Sequence, residues 1–324
     1  MSTIKVGKSE MPAVGLGIWK IDKEDAAQSV YDAIEVGYRH IDSAADYGNE
    51  KEAGEGIAKA IADGLCTRDE LWITSKLWNT FHREEHVREG LQKTLDDLGL
   101  EYLDLYLIHF PISMKYVPLD KHYPPEWFFD PGAPDARMEI DPVPLSDTWR
   151  GMEAAARDGL AREIGVCNYN SGLLHDLMAY STIKPSMLQI ESHPFLTQEN
   201  LIRLAGDYGI AVTAFSPLGA LSYVQLDMAT DKDTVLTAAP VVAAAERTGK
   251  SPAQVVLRWG LQRGTSIIPK TTKKERLKEN IDLFDFELTA AEMDAIADLN
   301  QNRRFNDTAV FCEAAFNKFY PIYD

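Results

Sequence analysis

The sequence predicts an α/β fold, a single (β/α)8 barrel of the TIM type, on three observations. Short apolar runs alternate with longer helical patterns, eight such runs can be counted, and the helical patterns repeatedly stop at glycine. Alternation of this kind marks βαβ units, and eight of them favour a closed barrel over an open doubly wound sheet. A length of 324 residues suits one such domain, covering residues 1–324.

The opening MSTIKVGKSEMPA stands outside the alternation and is expected to form a hairpin under the barrel. Strands are expected at 13–16, 40–42, 72–76, 103–109, 163–167, 187–191, 211–215 and 266–268. Helices are expected at 25–36, 49–63, 84–98, 145–158, 172–180, 199–208, the pair 240–247 and 252–262, and 273–281. Gly37, Gly64, Gly99, Gly159 and Gly209 stand where these helices stop, as suits the left-handed cap. Two further stretches break the alternation. One is the long loop after the fourth strand, 110–144, rich in proline and aromatics (HYPPEWFFDPGAP); long loops of this kind are usually functional. The other is the C-terminal tail, 300–324, with Arg304, Phe305, Asn306, Phe311, Phe316 and Tyr320. Both are expected to wall a substrate pocket, the tail lying over the active site.

Composition narrows the function. With 45% hydrophobic and 26% charged residues the chain reads as a globular protein, and no apolar run approaches the length that spans a bilayer. The N-terminus lacks the apolar segment and small-residue cleavage pattern of a secretion signal, so a cytoplasmic location is expected. Cys66, Cys167 and Cys312 are widely spaced and in no metal-binding pattern, as expected of reduced thiols. A net charge of −17 disfavours nucleic acid and anionic membranes as partners and leaves a small molecule. Against that background the run from Lys270 to Lys278 stands out: Lys270, Lys273, Lys274, Arg276 and Lys278 are opposed only by Glu275.

Barrel enzymes carry their catalytic groups at the C-terminal ends of the strands. Asp42 ends the second expected strand, Tyr47 follows it, Lys76 ends the third in WITSK and His109 ends the fourth in LDLYLIHF. A tyrosine is a poor acid–base group unless a positive neighbour stabilises its phenolate. Lys76 is the candidate neighbour, expected to lower the pKa of Tyr47, with Asp42 holding the lysine's charge in an apolar strand end. His109 is placed to orient a carbonyl oxygen. Taken singly, each of these residues is better explained by ion pairing or packing at the barrel rim; only their joint placement favours chemistry.

At this point the chain resembles the aldo-keto reductase family, most nearly its sugar reductases of the xylose reductase and mannose-6-phosphate reductase kind. The resemblance runs through GYRHIDSAADYGNE, SKLWN, LDLYLIHFP, IKPSMLQIESHPFL, TAFSPLG and VVLRWGLQRGTSIIPKTTKKERLKEN, with YPPEWF and RFND closest to xylose reductases. It implies Tyr47 as general acid, Lys76 and Asp42 as its support, and His109 as the group that positions the carbonyl. The implied reaction is reduction of an open-chain sugar aldehyde to the alditol by hydride transfer from NADPH.

The cofactor site reads in the same way. No Gly-x-Gly-x-x-Gly follows a strand, since Gly15 and Gly17 lack a third glycine and Gly54 and Gly56 fall within a helical pattern. Instead Lys270 is expected to close the eighth strand and Thr271 and Thr272 to open the next helix, where free amides and the helix dipole favour a phosphate. The resemblance implies Lys270, Thr271, Thr272 and Arg276 around the 2′-phosphate of NADP and Glu279 and Asn280 on the adenine. Asn168 and Gln189, with Cys167 beside them, have the position to meet the nicotinamide carboxamide. Phe215 offers a face for the ring, and Ser216 and Leu218 lie along the pyrophosphate. Phe215 and Cys167 stand where many members have Tyr and Ser. Gln225 aligns with a glutamate that engages the ribose of NAD in dual-cofactor members, so NADPH is expected over NADH.

Trp19, Trp78 and Phe110 are candidates for an apolar substrate wall, with Asp46 and Asn306 for sugar hydroxyls. His82 and His86 match a His-x-x-Glu-His zinc spacing but have no third ligand in view, and a solvated helix start is the plainer reading. Cys167 as a nucleophile has no histidine near it in sequence, and a small packed residue is expected. No metal is expected. Three alternatives stay open: a sugar-phosphate reductase, a non-enzymatic NADPH-binding regulatory subunit, and an aldolase using Lys76 as a Schiff base. The chain is expected to act as a monomer or homodimer.

Overall fold

Two short strands, β1 (Thr3–Val6) and β2 (Ser9–Pro12), pair antiparallel as the expected hairpin in the computed structural model, which describes residues 2–127 and 137–323. Val6 and Met11 turn into the barrel and pack on Trp72, Leu105, Leu107 and Met187, so the hairpin plugs one end of the barrel with apolar side chains. Glu163 ties it there, accepting hydrogen bonds from Lys8 N at 2.9 Å and Ser9 Oγ at 3.1 Å.

Eight parallel strands follow: β3 (Leu16–Gly17), β4 (His40–Asp42), β5 (Trp72–Leu77), β6 (Leu103–Ile108), β7 (Ala161–Cys167), β8 (Met187–Glu191), β9 (Ala211–Phe215) and β10 (Ser266–Ile267). Neighbours in the sheet are neighbours in sequence. The sheet closes where Val14 bridges Ile267: Gly15 N donates to Ile267 O and Ile267 N to Ala13 O, each at 2.9 Å. The first and last strands are shorter than the expected runs, because the closing contact near Val14 is a single bridge rather than a ladder. His109 and Lys270 lie just beyond their strands, at the rim.

The helices are α1 (Lys23–Glu35), α2 (Glu50–Ala62), α3 (Glu84–Leu98), α4 (Leu145–Arg157), α5 (Ser171–Tyr180), α6 (Glu199–Asp207), α7 (Ala239–Thr248), α8 (Pro252–Gln262), α9 (Lys274–Ile281), α10 (Ala290–Ala297) and α11 (Thr308–Phe316). The glycines of the rejected dinucleotide motif have a packing role in α2. A Cβ on Gly54 would stand 2.5 Å from Leu98 O, and one on Gly56 2.4 Å from Ala27 O, so only glycine lets α2 lie against α1 and the end of α3. The last two helices were not among the expected elements. α10 buries only Ile296 but carries a sequence signal in the capping box of Thr289 and Glu292; α11 buries Thr308, Ala309, Cys312 and Ala315 and starts at Asp307, which caps Ala309 N at 3.0 Å.

The loop after β6 and the segment around α11 both come to the mouth of the barrel, where Phe110, Trp127, Asn306 and Phe311 line a common cavity. Residues 128–136 of the aromatic loop lie outside the described residues. Among the described residues no helix is long and apolar enough to cross a membrane.

Candidate active site

Side chains alternate along a strand, so in a closed barrel every second residue points inward. Asp42 on β4, Lys76 on β5 and Gln189 on β8 share the inward set and meet near the C-terminal rim. Lys76 is 1% exposed, and its ammonium uses all of its donors: 2.6 Å to Asp42 Oδ1, 2.7 Å to Ser43 O and 3.1 Å to Tyr47 Oη. Asp42 Oδ2 accepts from Gln189 Nε2 at 2.6 Å. Burial by itself would strip Lys76 of its proton, but Asp42 and Tyr47 beside it outweigh that and hold its pKa above the ordinary value. An ion pair this deep is sustained only by such complete pairing.

Tyr47 departs from expectation in one respect. Burial pushes its hydroxyl above the usual phenol range, and Lys76 pulls the other way without cancelling it. The lowering expected from Lys76 is therefore the smaller of two opposed effects. The consequence is a phenol that keeps its proton at neutral pH, next to a cation able to stabilise the phenolate once the proton is given up. The ring of His109 meets that of Tyr47 edge-on, centroids 5.8 Å apart. Burial, then the charge of Lys76, drives His109 well below the usual imidazole range, so it is neutral. Together these groups can donate a proton to, and orient, an oxygen placed above them.

A cavity of about 890 Å³ opens above this cluster, with Asp42, Tyr47 and His109 in its lining. From the loops after β3, β4 and β6 and from around α11 come Trp19, Asp46, Phe110, Trp127, Asn306 and Phe311. Gln189 on β8, Phe215 at the end of β9, and Asn168, Ser216 and Leu218 just beyond β7 and β9 also line it. From beyond β10 come Lys270, Thr271, Arg276, Glu279 and Asn280. Burial, then the nearby Glu126, pushes the Asp46 carboxyl well above the carboxylate range. Asn306 has a buried side-chain oxygen with no hydrogen-bond partner among the described residues.

The basic run divides by role. Lys274 binds Glu35 and, at 3.4 Å, Asp32 on α1, a structural use. Lys270 and Arg276 line the cavity, and among the described residues neither forms an ion pair. Lys20 joins them: burial, then Lys270 close by, lowers its pKa, and its Nζ donates to Ser222 O at 3.0 Å. Three cations thus line one cavity in a protein of net charge −17.

Three expected site residues, Thr272, Trp78 and Cys167, sit off the cavity. Thr271 and Thr272 do not open the helix: α9 begins at Lys274, and Thr271 Oγ1 instead accepts from Lys273 N at 3.1 Å, forming a turn. Thr272 is consequently exposed and off the cavity, while Thr271 stays in its lining. Trp78 is fully buried behind the wall, edge-on to His109, Phe110 and Trp127, so it shapes the cavity only through them. Cys167 is 1% exposed, packs with Leu105, Leu107 and Met187 below the cavity, and has its thiol pushed up by burial. That is the small packed residue expected of it as a non-nucleophile, but not a cofactor contact. His82, expected in a solvated helix start, is fully buried before α3; burial lowers it to about 3, and His86 stacks on Tyr116 at 3.7 Å. Among the described residues no cluster has the ligands for a metal ion.

Sequence reasoning missed Lys20, Trp127 and Glu191. Glu191 ends β8 and is 0% exposed; its Oε1 meets His193 Nε2 and Phe305 N at 2.8 Å, and its Oε2 accepts from Asn306 N at 2.8 Å. Its place at a strand end was the available signal. It fastens to the barrel the segment that brings Asn306 to the cavity.

Residues 11–301 match the pattern of the family described as "Aldo/keto reductase family". A probable NAD(P)H-dependent D-xylose reductase of Arthroderma otae is 48% identical over 299 residues, 92% of this chain and 90% of that protein. An NADPH-dependent aldose reductase of Saccharomyces cerevisiae is 46% identical over 317 residues, 96% of each chain. Among solved structures, the Bombyx mori aldo-keto reductase in complex with NADP superposes with a TM-score of 0.84 at 39% identity, covering 99% of this chain and 98% of that one.

Proposed function

The chain belongs to the aldo/keto reductase family, and from that premise we propose that it reduces the open-chain aldehyde of a xylose-type aldose to the alditol, with NADPH as reductant. The observation that carries this reading is the buried chain Asp42–Lys76–Tyr47, opening beside His109 onto a cavity lined by cations that form no ion pair among the described residues. When bound, NADPH supplies the hydride for the carbonyl carbon. The chain's residues do the rest. Tyr47 gives its proton to the carbonyl oxygen as negative charge develops there, and Lys76 stabilises the phenolate that remains. Asp42 keeps Lys76 charged, and neutral His109 hydrogen-bonds the oxygen and fixes its direction.

Lys270 and Arg276, with Thr271, are assigned to the 2′-phosphate; their lack of ion-pair partners among the described residues is what fits them to an anion. Glu279 and Asn280 take the adenine, Ser216 and Leu218 the pyrophosphate, Phe215 the nicotinamide face, and Asn168 and Gln189 its carboxamide. The preference for NADPH over NADH rests on the same two cations, on Gln225 in the lining where a carboxylate would engage the ribose, and on the cofactor in the yeast relative's name. Trp19 and Phe110 form the apolar wall, and Asp46 and Asn306 meet substrate hydroxyls. Their place in the lining supports that role.

Lys20, Lys270 and Arg276 are the only Lys or Arg among the described residues of the lining; Lys270 and Arg276 fall to the cofactor, and the ammonium of Lys20 sits beside Lys270 on Ser222 O. No counter-charge is left for a phosphorylated sugar, which favours the free aldose. We place the enzyme in the cytoplasm as a monomer or homodimer, with residues 1–324 working as one barrel domain. The test is the loss of NADPH absorbance with D-xylose, with NADH and mannose 6-phosphate run alongside. A higher kcat/KM for D-xylose with NADPH is expected. Faster turnover of mannose 6-phosphate would overturn the substrate class, and no turnover of any aldose would overturn the activity.

A further inference from the structure

We propose that Tyr323 is a positioning residue for this reaction: its hydroxyl sets the side-chain amide of Asn168 and, through it, the seat of the nicotinamide carboxamide. The inference rests on the reading above in which Asn168 faces that carboxamide. Asn168 follows β7 with its backbone at φ 62°, in the left-handed region that an Asn side chain tolerates better than most. Its own N–H donates to Gln189 O at 3.0 Å, so the backbone is fixed.

The side-chain amide is then bracketed from two other parts of the chain. Nδ2 donates to the backbone carbonyl of His109 at 2.9 Å, and since a carbonyl only accepts, this contact decides which way the amide faces. Oδ1 accepts from the hydroxyl of Tyr323 at 2.9 Å. A primary amide has two N–H donors and two lone pairs at its oxygen. One of each is therefore left over, on a residue that lines the cavity. A donor and an acceptor side by side are the complement of a second primary amide, which is the polar group of nicotinamide.

Tyr323 is itself held in place. The guanidinium of Arg304 lies over its ring, 3.5 Å from the centroid, and Arg304 directly precedes the two residues whose amides bind Glu191. The segment from Arg304 onward is thus pinned to β8 by Glu191 and to the end of β7 by Tyr323. Burial, the largest influence on Tyr323, raises its phenol above the ordinary range, so it remains a donor.

Tyr323→Phe keeps the ring under Arg304 and removes only the hydroxyl. Dissociation constants for NADPH, NADH and 2′-phospho-ADP-ribose, which lacks nicotinamide, are read by quenching of protein fluorescence, with kcat and KM measured in parallel. NADPH and NADH are both expected to weaken roughly fivefold, the factor one neutral hydrogen bond is worth, with 2′-phospho-ADP-ribose unchanged. In an Asn168→Ala background the same change should add nothing, because the hydroxyl acts only through the amide. Unchanged affinity for both nicotinamide nucleotides in Tyr323→Phe, while Asn168→Ala weakens them, overturns the role of Tyr323 alone. Equal weakening of 2′-phospho-ADP-ribose also overturns it, by showing a general structural effect. An Asn168→Ala variant that does not discriminate nicotinamide nucleotides from 2′-phospho-ADP-ribose removes the carboxamide seat, and this proposal with it.

Discussion

At the scale of single residues the site turns on one lysine. Lys76 has three N–H donors and finds an acceptor for each within 3.1 Å, one of them the hydroxyl of Tyr47. The ammonium is therefore committed before any substrate arrives, and the one proton free to move is the phenol's. Tyr47→Phe should leave the ring and NADPH affinity in place and lower kcat by about 10²–10⁴, the range a positioned general acid contributes. Stopped-flow turnover beside equilibrium NADPH titration checks this, and an unchanged kcat would remove Tyr47 from the chemistry. These residues were legible in the sequence because each stands at or just after the end of a strand-like run. The balance at Tyr47 was not legible, since the depth of burial that outweighs Lys76 is a property of the assembled barrel. Trp78 and Trp127 show the same limit: the first adjoins a strand but turns behind the wall, while the second lies far along a loop that brings it to the cavity.

At the scale of elements, α9 and the turn before it divide a basic run between structure and binding. Lys274 answers α1, while Lys270 and Arg276 face the cavity. Replacing both with alanine removes two charge-assisted contacts and should weaken NADPH by at least roughly 100-fold while NADH changes little. Equal losses for the two nucleotides, measured by titration, would contradict the assignment. Helix α2 offers a pH test. Its first residue, Glu50, is buried and accepts from Ser43 Oγ at 3.1 Å, Ser75 Oγ at 2.6 Å and Thr94 Oγ1 at 2.9 Å. Burial outweighs these bonds and raises its carboxyl from 4.5 to about 7. A raised carboxyl pKa means that the folded state holds a proton the unfolded state has released. Its contribution to stability is full below pH 4.5, declines as pH rises, and is gone above about 7. The melting temperature of the wild type relative to Glu50→Gln should therefore fall across that window and then level off; a flat difference would contradict it. Short apolar runs made the strands readable from sequence, and glycine stops did the same for the main helices. α10 and α11 escaped because both are short and their apolar residues are not gathered on one face, which leaves a weak periodic signal, although their caps were visible.

At the scale of the whole molecule the two ends of the barrel have different work. One end is closed by the hairpin, whose Val6 and Met11 fill it with apolar side chains; the other carries the cavity. Met11→Ala should therefore cost about 2–4 kcal/mol in urea unfolding, as for a buried side chain cut to a methyl, with KM for NADPH unaltered. A matching loss of NADPH affinity would show that the ends are not independent. The cavity end collects its residues from nearly every strand and from loops far apart in sequence, yet all answer to one reaction. The central claim is tested most directly by incubating the protein with D-xylose and NADPH carrying two deuterons at C4 of the nicotinamide, and following the product by NMR. Xylitol should form one-for-one with NADPH consumed and carry deuterium at C1. NADPH that binds but yields no xylitol, or xylitol without the label, would contradict it.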